Sequence, residues 1–195
     1  IGVTGVQTCA LPIYGGKDPS DPPAEKRESD AAKDVVFYDL GSGVGRLVFQ
    51  MYIDQPERIS AAIGIELSKE RHEIGERALA SFLEEHYPRR GENGSRQDGE
   101  ATARFPVQLI HGDATELQLL DATTHVYISS TCLPESVLLK LQEKLLRLPN
   151  IRVVAALNRL DLFANGERNR EWEERDVPTQ MSWGGVSAKI YKRKI

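Results

Sequence analysis

The sequence contains little cysteine, no long apolar run and no excess of basic charge, and each of these absences excludes a class of protein. Only two of the 195 residues are cysteine, Cys9 and Cys132, which is too few for a disulfide-stabilised scaffold or a cysteine-rich metal site. The formal net charge is −4, so nucleic acid is not indicated as a partner. No apolar stretch reaches the length of a membrane span, so we expect no membrane partner.

The histidines also lack the spacing of a metal site. His72, His86, His111 and His125 are scattered, and no pair shows the H-x-x-x-H pattern of two ligands on one helix face. We therefore predict no metal site. The scarcity of cysteine fits a reducing compartment, and we expect an intracellular protein, either nuclear or cytoplasmic.

The first 33 residues differ in character from the rest. Residues 3–13 look like the in-frame translation of a common sequencing-adapter oligonucleotide; the alternative is the apolar part of a signal peptide, but no basic residue precedes it, and Gln7 and Thr8 interrupt it. Residues 15–33 are rich in proline and charge, which is typical of a linker. We assign residues 1–33 to an artefactual or disordered N-terminal segment and linker, and residues 34–195 to one folded domain.

Apolar runs alternate with helical patterns along this domain, which predicts an α/β fold with a mostly parallel sheet. The predicted strands are 35–40, 61–66, 105–110, 125–129 and 151–157, and the predicted helices are 44–54, 68–86 and 133–148. Residues 88–104 are polar and predict a surface insertion, and residues 158–176 predict a loop with a short helix. Residues 178–183 and 187–192 predict two more strands, joined through Gly184 and Gly185 as an antiparallel hairpin.

The most specific motif follows the first predicted strand: Asp39-Leu-Gly41-Ser42-Gly43-Val-Gly45. Glycines at this place let the chain turn sharply and approach a ligand closely. The loop lacks the lysine of a phosphate-binding P-loop and the G-x-G-x-x-G spacing of a dinucleotide site. Asp39 would repel a pyrophosphate but suits a cation, such as the ammonium and sulfonium of S-adenosylmethionine.

Two more acids follow predicted strands. Glu66 ends the second strand, where an acid can accept hydrogen bonds from ribose hydroxyls; the alternative is a solvated acid at a helix start. Asp113 follows the third strand, and its alternative is an ordinary turn aspartate.

The glycine motif with its acid resembles motif I of the class I S-adenosylmethionine-dependent methyltransferases. Within that superfamily, residues 37–45 with Val48 and Gln50 resemble the disruptor-of-telomeric-silencing family of histone lysine methyltransferases, and residues 64–66, 112–113 and 181–191 are similar to its later strand ends and hairpin. The resemblance implies a Rossmann-like sheet with a C-terminal antiparallel hairpin. It also implies S-adenosyl-L-methionine as the cofactor, with Asp113 accepting from the adenine amino group. The implied cofactor-binding residues are Asp39, Gly41, Ser42, Gly43, Gly45, Glu66 and Asp113.

The end of the fourth predicted strand should line the methyl-transfer position. Ser129, Ser130 and Thr131 are the candidate catalytic residues there, although their hydroxyls could equally cap the next helix. No Asn/Asp-Pro-Pro-Tyr/Phe motif is present, which argues against methylation of base or glutamine amino groups. Cys132 is expected to be small and buried. Trp183 could form a second wall of the acceptor pocket or belong to the core.

The resemblance implies transfer of a methyl group to a protein lysine, with histone as one possible acceptor. Three features depart from the family. Residues 129–132 replace its Asn-Asn-Phe-type stretch, its upstream segment that closes over the cofactor has no recognisable counterpart before Asp34, and its strongly basic tail is missing. Two alternatives therefore stay open, a small-molecule methyltransferase and a non-catalytic module that binds the cofactor or a protein.

Overall fold

The computed structural model describes residues 33–86, 106–164, 170–181 and 184–194. These residues form seven strands and four α-helices. In chain order they are β1 (Val35–Leu40), α1 (Arg46–Asp54), β2 (Ile59–Glu66), α2 (Lys69–His86), β3 (Val107–His111), β4 (His125–Ile128), α3 (Glu135–Leu146), β5 (Val153–Ala156), α4 (Asp161–Ala164), β6 (Trp172–Met181) and β7 (Gly184–Arg193).

All seven strands belong to one sheet, in the order β3-β2-β1-β4-β5-β7-β6. Strands β1 to β5 are parallel to one another, whereas β7 is antiparallel to both β5 and β6. The expected α/β fold with a C-terminal antiparallel hairpin is therefore confirmed. The chain leaves β1 on one side toward β2 and returns on the other side at β4. Such a reversal opens a crevice at the carboxyl ends of the strands, which is where open α/β sheets bind ligands.

Helices cover both faces of the sheet, which is why β1 is an unbroken buried run. Val36, Tyr38 and Leu40 belong to the core cluster that includes the buried leucines of α3. Val35 and Phe37 belong to the second cluster, with Val48 of α1. Asp39 continues the alternation onto this second face, so its carboxylate enters the interior at the end of the strand.

The C-terminal hairpin is longer than the sequence predicts. Strand β6 starts at Trp172, inside the segment expected to be a loop, because Trp172 is buried edge-on against Phe163 with ring centroids 4.8 Å apart. Gly184 and Gly185, expected to form the turn, instead pair with Met181 and Gln180 in the β6–β7 ladder. The other element boundaries differ from prediction by one or two residues.

Three further expectations lie outside the described residues: the N-terminal segment up to residue 32, the polar insertion at 88–104, and Trp183 as a pocket wall. Among the residues that are described, no helix combines the length and the apolar character that crossing a membrane requires.

Candidate functional site

A cleft of about 470 Å³ lies at the carboxyl ends of β1, β2 and β4. It brings together eight of the ten residues predicted from the sequence to form the site: Asp39, Gly41, Ser42, Gly43, Glu66, Asp113, Ser129 and Thr131. The two predicted residues that do not line the cleft are Gly45 and Ser130. Residues that are distant in sequence thus converge at the crevice which the sheet order creates.

The glycine loop is folded back against the end of β2. The amides of Gly41 and Ser42 both donate to the Ile65 carbonyl oxygen, at 2.9 and 3.0 Å. Gly41, Gly43 and Gly45 have φ values of 86°, 59° and 78°, in the left-handed region that favours glycine. A Cβ atom on Gly41 or Gly43 would meet nothing within 4 Å, so backbone conformation is what requires glycine there.

Gly45 has a different role from the one predicted. It caps the N-terminus of α1, and a Cβ atom on it would lie 2.8 Å from Leu109 Cδ2. Gly45 therefore allows α1 to start close to β3, and it does not contribute to the wall of the cleft.

Asp39 is the most perturbed acid of the cleft. The residue is only 3% exposed, and its Oδ1 atom has no hydrogen-bond partner among the described residues. Burial, and secondly the charge of Glu66, raises the pKa of Asp39 from its ordinary value of 3.8 to about 7. A buried carboxyl with an unsatisfied oxygen is expensive to leave unpaired, and a cation in the cleft would relieve that cost.

Glu66 connects the glycine loop to the start of α2. Its Oε2 atom accepts from the Gly43 amide at 2.8 Å, and its Oε1 atom accepts from the Ser68 amide at 2.7 Å. The Arg71 guanidinium, on a side chain that is 58% exposed, lies 2.9 Å from Oε1. A carboxylate has about four acceptor positions, so at least one stays available to a ligand hydroxyl.

Sequence reasoning missed Arg71. Its position five residues after Glu66, in the first turn of a helix capped by Ser68, is the signal that could have indicated it. The expected cap is present, since Ser68 Oγ accepts from the Arg71 amide at 3.4 Å.

Asp113 forms a turn, in agreement with the alternative interpretation of this residue as a turn aspartate. Its Oδ1 atom accepts from both the amide and the hydroxyl of Thr115, each at 2.8 Å. These bonds, led by the backbone one, lower the pKa of Asp113. Only Oδ1 takes part in these bonds, so Asp113 can hold the turn and still contact a ligand through Oδ2.

The end of β4 separates the three candidate catalytic hydroxyls, because a short 3-10 turn (Ser130–Cys132) follows the strand. Ser129 and Thr131 line the cleft. Ser130 is 0% exposed, and its Oγ atom accepts from the Asn158 amide at 2.6 Å. The prediction that Ser130 faces the acceptor is therefore wrong; it fastens the end of β4 to the end of β5.

The expectation that Cys132 is buried is wrong, since the residue is exposed and lines the cleft. Within the described ranges, no group of three or more His, Cys, Asp or Glu side chains is arranged to hold a metal ion.

Comparison with known proteins places this geometry in context. The family model "Histone methylation protein DOT1" matches residues 13–96, which include β1 to α2 and therefore both Asp39 and Glu66. A comparison with curated protein sequences gives no significant match. The solved structures that resemble this chain include several methyltransferases.

The fold is that of the class I S-adenosylmethionine-dependent methyltransferases. Streptococcus pneumoniae Sp1610, a candidate tRNA (m1A22) methyltransferase, is 12% identical with a TM-score of 0.54, over 84% of this chain and 66% of that one. M. capricolum TrmK, solved with S-adenosyl-homocysteine, is 12% identical with a TM-score of 0.51, over 82% of this chain and 62% of that one.

A third structure, the candidate methyltransferase yhhF from Escherichia coli, is 12% identical with a TM-score of 0.54, over 83% of this chain and 78% of that one. The chain thus spans slightly less than two thirds of the length of Sp1610 and TrmK. At identities this low the likeness establishes the methyltransferase fold, and the residues of the cleft must be interpreted on their own chemistry.

Proposed function

We propose that this chain binds S-adenosyl-L-methionine in the cleft and transfers its methyl group to a protein lysine. The observation that carries the proposal is Asp39, a buried carboxyl with an unsatisfied oxygen beside a glycine loop. The cofactor brings a primary ammonium group, which is the kind of partner that such a carboxyl needs.

The other residues of the cleft fit the remaining parts of the cofactor. The glycine loop lets the backbone reach the methionine portion closely, and Glu66 offers an acceptor to the ribose hydroxyls. Asp113 can accept from the adenine amino group through Oδ2. The three acids of the cleft, Asp39, Glu66 and Asp113, oppose a pyrophosphate, which argues against a dinucleotide or a nucleoside triphosphate as the ligand.

When bound, the cofactor supplies an electrophilic methyl group on a sulfonium centre. The task of the chain is then to orient the acceptor and exclude water. Ser129 and Thr131 are the polar groups at the β4 end of the cleft, and they can hydrogen-bond an incoming amine. A lysine amine must be neutral to react, so its proton has to leave to solvent before attack.

Protein lysine is proposed as the acceptor because the family-model match includes the glycine motif and the Glu66 region. The absence from the sequence of an Asn/Asp-Pro-Pro-Tyr/Phe motif agrees with this choice. RNA is the competing class of acceptor, because a candidate tRNA methyltransferase shares the fold.

The test is transfer of a tritiated methyl group from labelled cofactor. The acceptors are nucleosomes, free histones, a protein lysate, total RNA and a small-molecule extract, and a Glu66→Ala variant is the control. We expect label in protein, identified as methyl-lysine by mass spectrometry and lost in the variant. Label in RNA or in small molecules alone would contradict the lysine assignment, and failure to bind S-adenosylhomocysteine would contradict the cofactor.

A further inference from the structure

Lys144, near the C-terminal end of α3, donates hydrogen bonds to a loop outside its own helix. Its Nζ atom donates to the carbonyl oxygens of Ala114 and Thr115, at 2.8 and 2.9 Å, and also to that of Leu117. All three donors of the ammonium are therefore directed at one loop. Partial burial lowers the pKa of Lys144, so the three carbonyls compensate for lost hydration of the charge.

The loop that Lys144 holds is the one that carries Asp113. The amides of Glu116 and Leu117 donate to the Asp113 carbonyl oxygen, at 3.0 and 2.9 Å, while Thr115 occupies Oδ1. Amide and hydroxyl donors of the turn thus fix Asp113, and Lys144 fixes the carbonyl groups of the residues that follow it in the same turn. Residues 112–115 line the cleft, whereas Lys144 itself does not.

We propose that Lys144 is a positioning residue that sets Asp113 Oδ2 toward the purine amino group of the ligand and so determines specificity for a 6-amino purine. The inference rests on the proposed cofactor site and extends it to a residue on α3. An adenine presents an N–H donor at position 6, which a carboxylate accepts. A 6-oxo purine presents an oxygen there, which a fixed carboxylate repels.

The experiment compares the dissociation constants of S-adenosylhomocysteine and its 6-oxo analogue, S-inosylhomocysteine, by calorimetry. Wild-type protein should prefer the adenosyl ligand, and Asp113→Asn should abolish the preference. Lys144→Met should reduce the preference by about tenfold, the value of one well-placed hydrogen bond.

Lys140 provides a matched control one helical turn earlier. It is exposed, and its charge, like that of Lys144, acts on Asp113, but no hydrogen bond from it to the loop carbonyls is found among the described residues. Lys140→Met should therefore leave the preference unchanged. Equal effects of the two lysine substitutions would show that charge alone matters, which would overturn the positioning role.

The outcomes separate this inference from the proposed function. If wild-type protein binds neither ligand, the proposed cofactor site is wrong. If it binds both equally, or if Lys144→Met keeps the full preference that Asp113→Asn loses, the cofactor site stands and the inference fails. Urea denaturation checks folding; should Lys144→Met not fold, Lys144→Gln, which keeps an amide donor, replaces it and should lose the preference only in part.

Discussion

Replacement of Asp39 by asparagine should make the free protein more stable while weakening its cofactor binding. The carboxyl is buried beside Glu66, and its pKa is raised to about 7. Between pH 4 and 7 the folded chain therefore holds a proton that the unfolded chain has lost. Stability falls as the pH rises across this window, and the full penalty is present above pH 7.

The size of the penalty follows from the pKa. The difference between about 7 and 3.8 corresponds to roughly 4 kcal/mol at pH 8, at about 1.4 kcal/mol per pH unit. Asparagine has nearly the same shape and no charge, but its amide must also be desolvated, so we expect a net gain of about 1–3 kcal/mol. At pH 4 the carboxyl of the folded wild type is already neutral, and the gain should nearly vanish.

Two measurements test this prediction. Urea denaturation at pH 4 and pH 8 gives the free energy of unfolding, and calorimetry with S-adenosylhomocysteine gives the affinity. The affinity should fall by about ten- to a hundredfold, because a charged hydrogen bond is lost. Asp54→Asn, the same change at an exposed helix end, is the control. A loss of stability at pH 8 in Asp39→Asn would refute the argument, since it would mean that the carboxylate stabilises the fold.

Four further predictions concern neighbouring groups. Binding of S-adenosylhomocysteine should weaken below pH 7, by up to about tenfold per pH unit, because Asp39 becomes protonated; a flat profile from pH 5.5 to 8 would contradict this. Glu66→Gln should weaken binding by about 1–3 kcal/mol, measured by calorimetry, and unchanged affinity would remove Glu66 from the ribose site. Ser130→Ala should lower the free energy of unfolding by about 1–2 kcal/mol through the lost Asn158 bond, with little effect on cofactor affinity. Thr131→Val should do the opposite, lowering methyl transfer by about tenfold at unchanged stability; full activity would exclude Thr131 from the acceptor pocket.

The sequence was sufficient to predict the parallel part of the sheet. Strands such as β1 are continuous apolar runs, and their type follows from burial on both faces. The hairpin was predicted in kind but not in length, because four consecutive charged residues, 173–176, follow Trp172 in β6 and show no apolar alternation. Trp172 belongs to that strand through its contact with Phe163, a residue of a different element, and such a contact is not visible in a local window.

The site was predictable where backbone conformation or charge leaves a local signal. The glycine motif and the acid at the end of β2 are of this kind. The serines after β4 are not, because a 3-10 turn decides which hydroxyl faces the cleft, and Ser130 faces Asn158 instead. Arg71 and Lys144 act across elements, and only the folded chain shows what they contact.

Glu66 links the proposed ribose site to the order of the glycine loop. The carboxylate accepts from the amides of Gly43 and Ser68. Bonds within the chain therefore help to order the glycine loop, which would spare a ligand part of the entropy cost of ordering it. These two bonds fix the position of the Glu66 carboxylate. A ligand hydroxyl that donates to Glu66 would therefore meet a preorganised acceptor, as a selective site requires. Asp39 complements this arrangement, because the charge that destabilises the free fold is the charge that the bound ammonium would neutralise.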